Sequence, residues 1–233
     1  MAGEGLRGQS ELTQRVVSAI VLAIIAIGTA WWGGWPFALV WAGLALAVFA
    51  EWLGIVRQGG GGPGWLAAGV VYAGLLALAT IGLRGAGTLG FVAILYMFAV
   101  VWMTDIGAYF AGRRFGGPKF APKISPKKTW SGVVGGLCAG VAASLAVLAV
   151  AGLAVRPAHA LLSLALGMAV VFGDLFESFL KRRFGVKDAG SLIPGHGGFL
   201  DRLDGFALAV ALAGLVGWMR GGAGRLAEGL LQW

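Results

Sequence analysis

Long apolar runs alternate with short polar joints along nearly the whole chain. A helix needs about 20 apolar residues to cross a hydrocarbon core. Seven runs approach that length: 16–32, 35–56, 65–83, 88–110, 133–155, 160–180 and 205–219. Hydrocarbon cannot satisfy a bare backbone, so such runs must be helical. The pattern predicts an all-α integral membrane protein, a polytopic helical bundle of about seven to nine transmembrane helices. The fourth run is long enough to tilt or to break into two pieces. No stretch is long enough for a separate soluble domain. Residues 1–233 are read as a single transmembrane domain: N-terminal spans at 16–104, a core richer in polar residues at 105–205, and a last span and tail at 206–233.

Composition agrees. The chain is 58 % hydrophobic and 12 % charged, against roughly 25 % charged in soluble domains. Too little polar surface exists to cover a water-soluble globule. The 42 glycines either permit close helix packing or reflect a compositional bias. Cys138, the single cysteine, has no intrachain partner. The first apolar run leads into Trp32-Gly33-Gly34-Trp35-Pro36 rather than a small-residue cleavage site, so it is read as a membrane helix.

The net charge of +8 would suggest nucleic acid in a soluble protein. Here the basic residues lie between spans, which points to topology and anionic substrates instead. With seven spans, 14 of the 18 Lys and Arg residues fall on one side; Arg84, Arg156, Arg220 and Arg225 fall on the other. The rich side is expected to be cytoplasmic, with the N-terminus and the active site there.

Two stretches on that side carry the candidate chemistry. Asp105, Asp174 and Glu177 lie in or beside spans, where a charge costs several kcal/mol. Each needs a partner, a metal or a wet cavity. Asp174, Glu177, Ser178 and Lys181 are spaced i, i+3, i+4, i+7, hence on one helix face. Internal Asp–Lys or Glu–Lys pairing is the plainer reading of that spacing. Asp201 and Asp204 open the last span, where a carboxylate can cap the helix. With a glycine-rich loop before it and Arg202 beside it, Asp201 is better read as a ligand. Asp174 and Asp201 can then offer oxygens from two helices to one divalent cation. Asp204 and Asp105 are further candidates for the same ion.

The loop between those helices reads Lys187-Asp188-Ala189-Gly190, then Pro194-Gly195-His196-Gly197-Gly198. Glycines let backbone amides turn toward an anion. His196 can orient a phosphate or carry a proton, although a lone histidine is more often structural. Upstream, Ser125-Pro126-Lys127-Lys128-Thr129 is read as a Pro-constrained loop clamping a triphosphate. A topogenic basic cluster is the alternative, and it leaves the hydroxyls unexplained.

From Ser178 through Lys181-Arg182, Lys187-Asp188, Ile193-Pro194, His196-Gly197-Gly198 and Asp201-Arg202-Leu203-Asp204, the chain resembles the signature of phosphatidate cytidylyltransferases, the CDP-diacylglycerol synthases. Asp105-Ile106-Gly107-Ala108-Tyr109 and residues 125–129 are similar to the same family. The resemblance covers 105–205. Two positions depart from it: Ser131, where Glu is common, and Gly205, where Ser is common.

The resemblance implies transfer of CMP from CTP to phosphatidic acid, giving CDP-diacylglycerol and pyrophosphate. It implies magnesium on Asp174 and Asp201, a potassium ion nearby, a homodimer, and a place in the cell inner membrane among lipids. Asp174, Asp201, Lys181 and Arg202 would be catalytic. Ser125, Lys127, Lys128, Thr129, Ser178, Arg182, Lys187, Asp188, His196, Gly197 and Gly198 would bind substrate.

Three other functions would leave different marks in the sequence. A transporter predicts charges near mid-span, whereas these gather at one end. A CDP-alcohol phosphotransferase needs later aspartates, but no acidic residue follows Asp204 until Glu228. An inactive lipid-binding relative would not need the full set of carboxylates that this chain carries.

Overall fold

The computed structural model describes residues 2–85, 87–186, 189–190 and 197–233, with side chains described from Val17 onward. Among these residues the order is α1 (Ala2–Trp32), α2 (Gly34–Gln58), α3 (Pro63–Arg84), α4 (Gly87–Phe115), β1 (Lys119–Ala121), β2 (Ser125–Thr129), α5 (Trp130–Val150), α6 (Pro157–Arg183), α7 (Leu200–Gly221) and α8 (Leu226–Leu231). Helices α2 to α7 are long and apolar enough to cross a membrane, and α1 adds a shorter apolar segment, Val17–Trp32. These seven helices are the seven expected runs. The chain is an all-α, multi-pass membrane protein. Its outward faces carry apolar side chains such as Ile24 (64 % exposed) and Leu78 (74 %), which only lipid can cover favourably.

The fourth run does not break. Helix α4 is continuous over 29 residues, about 43 Å at 1.5 Å per residue. That exceeds a hydrocarbon core of about 30 Å. Its polar last turns, with Asp105, Arg113 and Arg114, can therefore emerge while its first turns stay buried.

Glycine is used here for close approach. A Cβ on Gly107 of α4 would lie 2.6 Å from the Ala139 Cβ of α5, and one on Gly132 would lie 2.9 Å from the Ala108 carbonyl oxygen. Helices α6 and α7 meet in the same way. A Cβ on Gly173 would lie 2.7 Å from Gly205 Cα, and one on Gly205 would lie 2.8 Å from Val170 Cγ1. Small residues at these crossings let backbones touch. The departure at 205 thus has a local reason: a serine there needs α6 to shift.

The joint between α4 and α5 differs from expectation. Residues 125–129 are not a loop but strand β2, paired antiparallel with β1 in the register Lys119↔Thr129 and Ala121↔Ser125. Pro126 can sit in this strand because a two-stranded ribbon is all edge. Thr129 ends the strand and caps α5, its hydroxyl accepting the Gly132 N–H at 3.2 Å. Ser131 bonds Thr129 Oγ1 at 3.2 Å and donates to the Gly116 carbonyl, so this second departure ties the hairpin to the end of α4.

At the opposite end, polar side chains serve the backbone. Arg84 is 8 % exposed and donates to the carbonyls of Ala30 (2.5 Å), Trp31 (3.2 Å) and Gly87 (3.2 Å). It satisfies the C-terminus of α1, which otherwise leaves carbonyls unpaired. His159 bonds Arg156 N through Nδ1 and the Leu231 carbonyl through Nε2, both at 3.0 Å. Arg220 binds the carbonyls of Gly229 and Gln232 and lies 3.5 Å over the Trp233 ring.

Candidate active site

The contact of Gly173 with Gly205 brings the polar ends of α6 and α7 together. Asp174 and Glu177 sit one turn apart on α6, and Asp204 sits in the first turns of α7. One ligand oxygen from each lies within 4.8 Å of the others. Three hard carboxylate oxygens at this spacing suit a hard divalent cation. Carboxylates crowded this closely repel unless a cation stands among them. Asp105 of α4 lies near enough to feel Asp174 and Arg202 electrostatically.

Two lysines partly supply that positive charge. Lys128 Nζ lies 2.6 Å from Asp174 Oδ2 and 3.3 Å from the Val171 carbonyl. Successive strand residues point to opposite faces. Lys128 therefore reaches α6 while Lys127 is exposed on the other face. Lys181 Nζ bridges Glu177 Oε1 at 2.5 Å and Asp201 Oδ1 at 2.9 Å. The helix-face pairing of Glu177 with Lys181 is thus present, and it extends to a second helix.

Asp201 holds Ala189 and Gly198 and lies outside the three-carboxylate group. Besides Lys181, its Oδ2 accepts the N–H of Gly198 at 3.0 Å and of Ala189 at 3.2 Å. Asp204 is less engaged: its Oδ1 accepts the Gly205 N–H at 2.7 Å. Arg182 Nε donates to the Ile124 carbonyl at 2.5 Å, tying the hairpin to the end of α6. Ser178 is half-buried beside Lys181. Gly197 and Gly198 lie just before α7. Lys187, Asp188 and His196 fall outside the described residues.

One functional candidate escaped the sequence reading. Glu51 of α2 is 6 % exposed and accepts the N–H of Phe199 at 3.0 Å and of Leu200 at 2.8 Å. The signal was available: a single carboxylate in an otherwise apolar span.

A cavity of about 420 Å³ opens beside this site between α1, α2, α4 and α7. Asp105, Asp201, Arg202 and Asp204 form its polar end. Trp41, Phe98 and Phe206 form apolar walls, with ring centroids 4.9 Å apart for Trp41–Phe206. Asp204 belongs both to the carboxylate group and to the cavity. The arrangement can hold a cation against anionic oxygens at one end and accommodate hydrocarbon at the other.

Comparison with known proteins points the same way. Residues 63–219 match the model of the cytidylyltransferase family. A protein of Brucella suis biovar 1 (strain 1330) called phosphatidate cytidylyltransferase is 41 % identical, over 89 % of this chain and 94 % of that one. Proteins of the same name from Rickettsia bellii (strain RML369-C) and Haemophilus influenzae (strain ATCC 51907 / DSM 11121 / KW20 / Rd) are 32 % and 45 % identical. The first of these matches covers 88 % of this chain and 90 % of the relative, the second 52 % and 44 %. The family match takes in the hairpin, both carboxylate-bearing helices and the glycine loop between them, and the chain belongs to the cytidylyltransferase family.

Proposed function

We propose that the protein is a phosphatidate cytidylyltransferase of the cell inner membrane, working at the cytoplasmic face. One observation carries the reading: Asp204 is shared between a three-carboxylate group and an apolar-walled cavity. A lipid phosphate can then lie at the carboxylate end while its chains follow the apolar walls. The 14-to-4 split of basic residues supports a cytoplasmic position for that end, on the side where CTP is found.

In the reaction, a phosphate oxygen of phosphatidic acid attacks the α-phosphorus of CTP. The bond to the β-phosphate breaks, and pyrophosphate leaves. The protein's task is to hold two anions in line and neutralise them. Lys128 and Lys181 sit among the carboxylates and can turn to substrate phosphates. Arg202 lies at the cavity's polar end for the lipid phosphate. Trp41, Phe98 and Phe206 exclude water from the acyl side.

We assign Asp174, Glu177 and Asp204 to a magnesium ion, which when bound supplies Lewis-acid charge to the nucleotide phosphates. Asp201, expected from the sequence as a ligand, would join them by releasing Lys181. Thr129 acts as the cap of α5, and the exposed Lys127 remains for a nucleotide phosphate approaching from solvent.

The test is product formation. Purified protein receives radiolabelled CTP, phosphatidic acid, magnesium and potassium. Labelled CDP-diacylglycerol is expected, and chelation should remove it. Folded protein that makes no product under these conditions overturns the reading.

A further inference from the structure

We propose that Glu51 is a positioning residue of the active site, setting the place of the start of α7 and of residues 190 and 198–199 before it, and thereby of Asp201 and Asp204. The proposal rests on the cytidylyltransferase reading for its kinetic consequences. Glu51 lies N-terminal to the residues that match the family, 63–219.

A helix begins with N–H groups that lack partners. Phe199, the residue before α7, provides no side-chain cap. Both oxygens of Glu51 take over that task from a different helix, at 3.0 and 2.8 Å. A carboxylate is also favoured at the positive end of the helix dipole. Among the described residues no Lys or Arg pairs with Glu51.

Gly190 and Gly198 pack against this carboxylate. A Cβ at Gly190 would lie 2.6 Å from Glu51 Oε1, and one at Gly198 would lie 2.5 Å from Oε2. On its other side the loop is held by Asp201, through the N–H groups of Ala189 and Gly198. Residues 189–190 and 198–200 are therefore clasped between two carboxylates. Moving one moves the partners of the other.

Helix α2 is itself referenced to α6. Trp52, next to Glu51, packs its ring 5.4 Å from Tyr72 and 6.0 Å from Phe176. Its Nε1 donates to the Trp65 carbonyl at 2.8 Å. Phe176 lies between Asp174 and Glu177 in the sequence. Glu51 thus connects the two halves of the carboxylate group, α6 and α7, through α2.

Glu51→Gln in the full-length protein tests the idea. Glutamine keeps the shape but has one acceptor and two donors, so one N–H of α7 meets another donor. Amide exchange at Phe199 and Leu200 should rise at least about tenfold, with α5 unchanged. Affinity for manganese, read by electron paramagnetic resonance, should fall about tenfold or more. In the assay, kcat should fall roughly 10²-fold, with KM for phosphatidic acid within about twofold of the wild type.

Wild-type exchange, manganese affinity and kcat in Glu51→Gln overturn the proposal. Should that variant fail to fold, Gly190→Ala disturbs the same contact from the loop and should give the same pattern; wild-type behaviour there overturns it equally. If the wild type makes no product, the functional reading falls, and the exchange and manganese measurements decide the Glu51 link by themselves.

Discussion

Asp174→Asn is expected to lower CMP transfer by about 10³-fold or more, a loss of roughly 4 kcal/mol of transition-state stabilisation. Asn has the same size but cannot neutralise a cation. Asp174 is central because it pairs with Lys128 at 2.6 Å and also belongs to the carboxylate group within 4.8 Å proposed to hold the cation. Its side chain is 39 % exposed, so the pair with Lys128 contributes at most about 1 kcal/mol to folding. The expected result is a stable protein with little activity. Steady-state turnover and thermal unfolding of the same sample check both halves.

Lys181→Met should behave differently. Lys181 holds Glu177 and Asp201 together, and all three side chains are at least 80 % covered. Removing one partner of a buried pair leaves uncompensated charge, which costs about 3–5 kcal/mol. Activity should fall by at least about 10²-fold, and this time the melting temperature should fall too. A divalent cation binding among the freed carboxylates stabilises the folded state by mass action. Millimolar magnesium should therefore raise the melting temperature of Lys181→Met more than that of the wild type. Equal stability of Lys181→Met and wild type in chelator would show that the bridge contributes nothing.

Most of the fold could be read from the sequence, because membrane spans announce themselves by length and apolarity. Asp174, Glu177 and Lys181 were placed on one face by their spacing alone, and the Glu177–Lys181 pair followed. Spacing along one helix does not reveal how that helix is rotated against another. Asp201 and Asp204 share a face of α7, and which of them meets the carboxylates of α6 depends on where Gly173 and Gly205 let α6 and α7 touch. Lys127 and Lys128 looked like equal arms of one clamp. Strand pairing with β1 separates them, and Pro126 hid the strand. Glu51 was missed because its partners are backbone N–H groups 148 and 149 residues away. No side-chain pattern marks such a partner.

We assign the divalent cation to the carboxylates joined by the α6–α7 contact. Manganese binding, followed by electron paramagnetic resonance in wild type, Asp204→Asn and Asp201→Asn, tests it most directly. One bound ion is expected in the wild type, with loss of it in Asp204→Asn and a weakened but detectable site in Asp201→Asn. Full binding in Asp204→Asn, with binding lost in Asp201→Asn, would contradict it.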